Sequence, residues 1–154
     1  MIQRKQTLML LLALVLTATL FFQEMGLFAT PDNLFELNFY SLTDITNENT
    51  PTMVYPLIPL AALIVLVNLF NLIAIFMFKN RPLQMRICGL NVGILIGLVG
   101  IVVYLNYAIA RDLETEWHLS STLIIPLVAA FLNFFAYRAI SDDEALIQSL
   151  NRLR

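Results

Sequence analysis

The sequence is poor in the side chains that do chemistry. It holds one cysteine, Cys88, which excludes an intrachain disulfide and a cysteine cage for a metal. It holds one histidine, His118, and no Ser–His–Asp set, phosphate-binding glycine loop or H-E-x-x-H helix, so it offers no cofactor or metal site by motif. Charged residues make up 13%, against about 25% in soluble domains. The net charge of −2 is too small to point to nucleic acid. No Lys, Arg, Asp or Glu falls in the middle of any long apolar run, so a proton relay or ion-coupled pump would lack its usual charged residue.

What the sequence has is length without charge. Hydrophobic residues make up 59% and the mean hydropathy is +0.78. Four apolar runs, about residues 7–22, 55–78, 87–110 and 119–139, are read as transmembrane helices. The polar blocks between them alternate in sign. Arg4, Lys5, Lys79, Arg81, Arg86, Arg138, Arg152 and Arg154 occupy three blocks, and only Arg111 lies in the other two. Those other two, residues 23–52 and 111–118, carry Glu24, Asp32, Glu36, Asp44, Glu48, Asp112, Glu114 and Glu116. Basic residues accumulate on the cytoplasmic side of membrane proteins, so both termini are expected inside and the long loop 23–52 outside. The expected architecture is a single all-α domain over residues 1–154, an antiparallel four-helix transmembrane bundle.

Local signals refine this outline. The first run has a signal peptide's basic start but no A-x-A cleavage site, so an uncleaved anchor is expected. Pro56 and Pro59 suit the first turn of the second span, and Pro126 should kink the fourth. Tyr55, Tyr104, Tyr107 and Trp117 fall at the outer boundary and Tyr137 at the inner one. Residues 79–86 and 111–118 read as eight-residue loops. In the outer loop, residues 34–42 alternate enough to predict one or two short strands. Ser141 followed by Glu144 reads as a capping box opening a separate amphipathic tail helix over 141–154, with Leu146, Ile147, Leu150 and Leu153 at helical spacing.

Two sets of residues inside the spans are candidates for function. Gly89, Gly93, Gly97 and Gly100 line one side of the third span, where missing side chains let another backbone approach. Packing within the bundle is the expected use, with self-association or a cofactor groove as alternatives. Asn68, Asn71, Asn91 and Asn133 are the polar residues set within the spans, and Asn71, Asn91 and Asn133 place amides of three spans at similar inner depth, either as a structural hydrogen-bond cluster or as a polar cavity. Elsewhere the chemistry is thin. Glu114, Glu116 and His118 could gather a metal loosely, but a solvated loop is the expected reading. Cys88 reads as a small packing residue.

Three stretches carry a family resemblance. They are Met1-Ile2-Gln3-Arg4-Lys5-Gln6-Thr7, then residues 78–91 (Phe78-Lys79-Asn80-Arg81-Pro82-Leu83-Gln84-Met85-Arg86-Ile87-Cys88-Gly89-Leu90-Asn91), then Arg138-Ala139-Ile140 with Asp143-Glu144-Ala145-Leu146 and a closing Asn151-Arg152-Leu153-Arg154. Together they resemble a family of small four-helix inner-membrane proteins of bacteroidete bacteria, known as a domain of unknown function. The resemblance implies a bacterial inner membrane and lends no activity. The function expected from the residues is non-enzymatic: a subunit, scaffold or assembly factor of a membrane complex, in contact with the bilayer and with a membrane partner or a second copy. The alternative is a small transporter, channel or lipid-handling protein that uses the asparagine set.

Overall fold

The computed structural model describes residues 3–47, 50–116 and 120–152. Helix α1 (Gln3–Thr19) leads into four short strands, β1 (Gly26–Ala29), β2 (Leu34–Leu37), β3 (Ser41–Asp44) and β4 (Thr52–Pro56). Helices α2 (Ile58–Phe76) and α3 (Arg81–Asp112) follow. A 3-10 turn (Ser121–Leu123) then opens α4 (Ile124–Arg152). Three of the helical segments, Ile58–Phe76, Arg81–Asp112 and Ser121–Leu146, are long and apolar enough to cross a membrane, which suggests a membrane protein. The apolar part of α1, Lys5–Thr19, is shorter.

The helices pack as a ring, α1 on α2, α2 on α3, α3 on α4 and α4 back on α1. Three buried layers fix their directions. One layer joins Leu20, Leu60, Ile64, Leu98, Val102 and Leu123 to Phe28, Leu37 and Leu42 of the sheet. A middle layer holds Val67, Leu95, Ala129 and Ala130, and the far layer holds Leu10, Ala74, Cys88, Ala136 and Ile140. Residue numbers rise from far layer to sheet in α1 and α3 and fall in α2 and α4, so consecutive helices run antiparallel. The outward faces stay apolar: Leu8, Leu11, Leu12 and Val15 of α1 are all at least 45% exposed, as are Val65, Leu69 and Phe76 of α2. A contiguous apolar surface of this kind is foreign to water-soluble monomers.

The sheet is an antiparallel meander in the order β1-β2-β3-β4. It caps one end of the helices, and its buried face carries Phe28, Leu37 and Leu42. The sequence reading foresaw β2 and part of β3 but not β1 or β4. Both edges are blunted. At β4 the register shifts by one residue near Val54, and Leu57 N donates to Tyr40 O at 2.6 Å. The neighbouring Pro56 therefore turns its missing N–H outward, and a bulge with an edge proline discourages further strand pairing. At the β1 edge side chains engage the two ends: Thr115 Oγ1 donates to Ala29 O at 2.8 Å, and Thr122 Oγ1 to the O of Glu24, just before the strand, at 2.7 Å. The β3–β4 turn is set by Asp44, which accepts from Thr46 N at 2.9 Å and from the Thr46 hydroxyl. These bonds hold the Asp44 carboxyl below its usual range.

Several expectations are corrected. Tyr55 and Pro56 belong to β4, so α2 opens at Ile58 with Pro59 as its only first-turn proline. The expected loop over 79–86 is mostly helix, because α3 begins at Arg81 with Pro82 pre-set in its first turn. Pro126 is the third residue of α4, so it falls in the first turn, where a proline is tolerated, rather than in the helix interior. The Ser141–Glu144 pair opens nothing: α4 runs unbroken through it to Arg152. Once a helix is propagating, each further residue adds a bond without a new nucleation cost, and a cap signal inside it goes unused. Leu146 is exposed, while the side chains of Ile147 and Leu150, and residue Leu153, lie outside the described residues.

Candidate functional site

The four asparagines singled out from sequence fall in one polar seam at the middle of the helix ring. Asn91 Nδ2 of α3 donates to Asn71 Oδ1 of α2 at 2.9 Å and to Asn133 Oδ1 of α4 at 3.3 Å. Asn133 Nδ2 donates back to Ala129 O, 2.9 Å, on its own helix. The seam continues to α1 through a residue the sequence reading missed. Thr17 Oγ1 lies 3.0 Å from Asn68 Oδ1 and accepts from Asn71 Nδ2 at 3.5 Å. Asn71, Asn91, Asn133 and Thr17 are all fully buried. Thr17 gave no signal because a helical threonine usually satisfies itself on the preceding turn, as this one also does at Ala13 O, 2.9 Å.

The electrostatics of the seam are neutral. Amides and a hydroxyl do not titrate near neutral pH, so what the seam offers is hydrogen bonding, at about 0.6 kcal/mol per interhelical contact. One atom is left over: Asn91 Oδ1 is buried and accepts no hydrogen bond. The Asn91 amide spends both protons on its neighbours while its oxygen has no donor.

A second polar tie was also missed. Asn106 of α3 is buried, and its Nδ2 donates to Met25 O at 3.1 Å and to Val102 O at 2.9 Å. It fastens the entry of β1 to α3. The contact is so close that a side chain at Gly26 would collide with Asn106 Oδ1 and sit 3.2 Å from its Cγ. In sequence Asn106 stands between Tyr104 and Tyr107, and reading those as boundary residues hid it. At the opposite end, Gln6 Nε2 donates to Asp143 Oδ2 at 2.6 Å, joining α1 to the extension of α4. Gln84 Nε2, also buried, donates to Ala74 O at 2.9 Å across α2 and α3.

The glycines lie elsewhere than expected. Gly89, Gly93, Gly97 and Gly100 are exposed, on the face of α3 opposite its buried Asn91, Leu95, Leu98 and Val102. A Cβ added at Gly93, Gly97 or Gly100 would meet nothing within 4 Å. At Gly89 it would reach only Tyr137 Cε2, at 4.0 Å. Packing of this face against another helix of the same chain is thereby overturned, because α2 and α4 hold the other side of α3.

The loop after α3 closes on a Schellman arrangement, Glu114 N to Arg111 O at 3.3 Å and Thr115 N to Ala110 O at 2.9 Å. Glu114 occupies its left-handed position with φ 51°. Trp117 and His118 lie outside the described residues, and with them the Glu114–Glu116–His118 grouping. Among the described residues no three His, Cys, Asp or Glu side chains gather as metal ligands.

Comparison with curated proteins gives no match. A family model described as "Domain of unknown function (DUF4293)" matches residues 2–153, and the chain belongs to that family.

Proposed function

We propose that the chain is a four-span protein of a bacterial inner membrane that serves as a non-catalytic subunit, scaffold or assembly factor of a membrane complex. The short α1 is counted as the fourth span on three grounds. It completes the helix ring, it turns Leu8, Leu11, Leu12 and Val15 outward, and hydrogen-bonded turns carry it on from Thr19 to Phe22. Lys5, Lys79, Arg81, Arg86 and Arg138 gather at the end away from the sheet, which is the charge bias of a cytoplasmic face. Cysteine at Asn47 should then react with an impermeant thiol reagent in intact spheroplasts and cysteine at Asn80 should not. Both positions are exposed and the native Cys88 is buried. Labelling at Asn80 alone would invert the orientation.

The observation that carries the subunit reading is the glycine face of α3. Its smooth, open backbone fits a second transmembrane helix, and small residues at such spacing favour close helix approach. The test is affinity purification from native membranes in mild detergent. A membrane protein should co-purify with the native chain and be lost from Gly93→Leu/Gly97→Leu, with the fold of both proteins intact by circular dichroism. Recovery of the chain alone in several detergents would refute it.

A second reading, a small transporter or channel, is favoured by the unpartnered Asn91 Oδ1 alone. In a Cys88→Ala background, Asn91→Cys would react quickly with a small thiosulfonate if water reached the seam. Protection against that reagent would remove this reading.

A further inference from the structure

We infer that the groove between α3 and α4 is a binding site for one anionic phospholipid of the inner leaflet. The inference rests on the membrane reading above. The groove has a volume of about 340 Å³ and is lined by Val92 and Ile96 of α3 and by Leu127, Ala130, Phe131 and Phe134 of α4. Its lining is wholly apolar, and Ile96, Leu127, Phe131 and Phe134 in it are exposed. Apolar surface at that depth is complementary to hydrocarbon rather than to a polar solute.

The end of the groove nearer the far layer supplies the other half of a lipid's chemistry. One turn beyond Phe134, on the same face of α4, stands Arg138. One turn beyond Val92 on α3 stands Gly89, and a further turn on stands Arg86. A Cβ at Gly89 would lie 4.0 Å from Tyr137 Cε2, which sets the two helices level there, so Arg86 and Arg138 both stand at the end of α3 and α4 toward which the groove runs. Both arginines are exposed, and among the described residues neither guanidinium has a carboxylate or other hydrogen-bonding partner. Two unpaired guanidinium groups at headgroup depth, over an apolar channel, match a phosphodiester joined to an acyl chain. Arginine binds phosphate oxygens through paired N–H groups, and basic pockets between membrane helices on the inner side select anionic headgroups. Tyr137, exposed beside Gly89, adds amphipathic surface at the same boundary.

The measurement is native mass spectrometry of the detergent-purified chain after titration with phosphatidylglycerol or phosphatidylcholine. One phosphatidylglycerol per chain should be retained preferentially. Arg86→Gln/Arg138→Gln should weaken that retention by about five-fold per arginine, roughly thirty-fold in all. Lys5→Gln/Lys79→Gln removes the same charge away from the groove and should leave retention within about two-fold. Val92→Phe narrows the groove without touching charge and should also reduce it. If the lysine pair weakens retention as much as the arginine pair, or if the two lipids are held equally, the site is overturned. Alkaline extraction separates this outcome from the reading beneath it. A chain that stays in the washed membrane but shows no lipid preference refutes the lipid site alone, whereas a chain released by the wash refutes the membrane reading.

Discussion

Replacing Gly26 by alanine tests how the sheet is fastened to the helices. The new methyl would meet Asn106 Oδ1 and lie 3.2 Å from Asn106 Cγ and 3.3 Å from Phe28 Cε2. Phe28 can yield by a few tenths of an ångström, but Asn106 cannot stay. Its amide must swing away and abandon the 3.1 Å bond to Met25 O, leaving a carbonyl without its donor beneath the sheet. Overpacking costs about 1–3 kcal/mol and an orphaned buried acceptor about 1–3 kcal/mol. Alanine in place of glycine returns roughly 0.4–1 kcal/mol by restricting the unfolded chain. A net loss of about 2–4 kcal/mol is expected, read as a lower unfolding midpoint in detergent by circular dichroism. The decisive comparison is a cycle with Asn106→Ala. That variant alone should cost about 1–2 kcal/mol, and in its background Gly26→Ala should cost less than about 1 kcal/mol, because the atoms it strikes are gone. Contacting residues that share one interaction couple by about 0.5–3 kcal/mol. If Gly26→Ala is equally harmful in both backgrounds, Asn106 is not what requires glycine there and the latch does not exist.

Further expectations follow from the same contacts. In the seam, Asn91→Leu should couple with Asn71→Leu and with Asn133→Leu by about 0.6 kcal/mol each, while Asn71→Leu and Asn133→Leu, which share no direct bond, should be nearly additive. Thermal midpoints of the singles and doubles would decide it, and additivity throughout would mean the amides do not meet. Glu114→Gly should raise stability by about 1 kcal/mol by relieving a left-handed backbone at φ 51°; a lower midpoint would contradict the Schellman cap. Thr46→Val should raise the Asp44 pKa toward its ordinary value, measured by carbon-detected NMR titration. Because the folded pKa of Asp44 is depressed, its contribution is present above the unfolded pKa and is lost as pH falls through the folded value, so the variant should show less loss of stability on acidification.

How far the fold was legible depended on how many residues cooperated in each signal. Runs of some twenty apolar residues announced helices α2, α3 and α4 without help, since nothing else spends so many side chains that way. Strands of four or five residues are decided by where the chain lands. β1 is a continuation of the turn after α1, and β4 runs into α2 with only Leu57 between, so each looked like part of its helix. Helix ends were misplaced where Pro82 was read as a stop and Ser141 as a start, although Pro82 sits in the first turn of α3 and Ser141 within an established helix. The asparagine seam was visible because amides are costly in an apolar run. The latch residue Asn106 and the α1 link Thr17 were not, because each has an ordinary explanation in its local sequence. The outward turn of the glycines could not be read at all, since four small residues on one side of a helix say nothing about which side the rest of the chain will take.

The blunted edges of the sheet bear on how copies of this protein can accumulate. A meander of four strands would ordinarily present two open rails for further strands, yet here a bulge and Pro56 interrupt one, and side-chain donors from Asn106, Thr115 and Thr122 engage the other at Ala29 and at the residues that lead into β1. The cap therefore offers further strands a poor template at either edge. Strand-by-strand association at the sheet is thereby disfavoured, and the apolar flanks of the helices are left as the larger surface for association. Those flanks meet in two dimensions, where the number of neighbours is set by geometry within the plane rather than by concentration in the space beyond it.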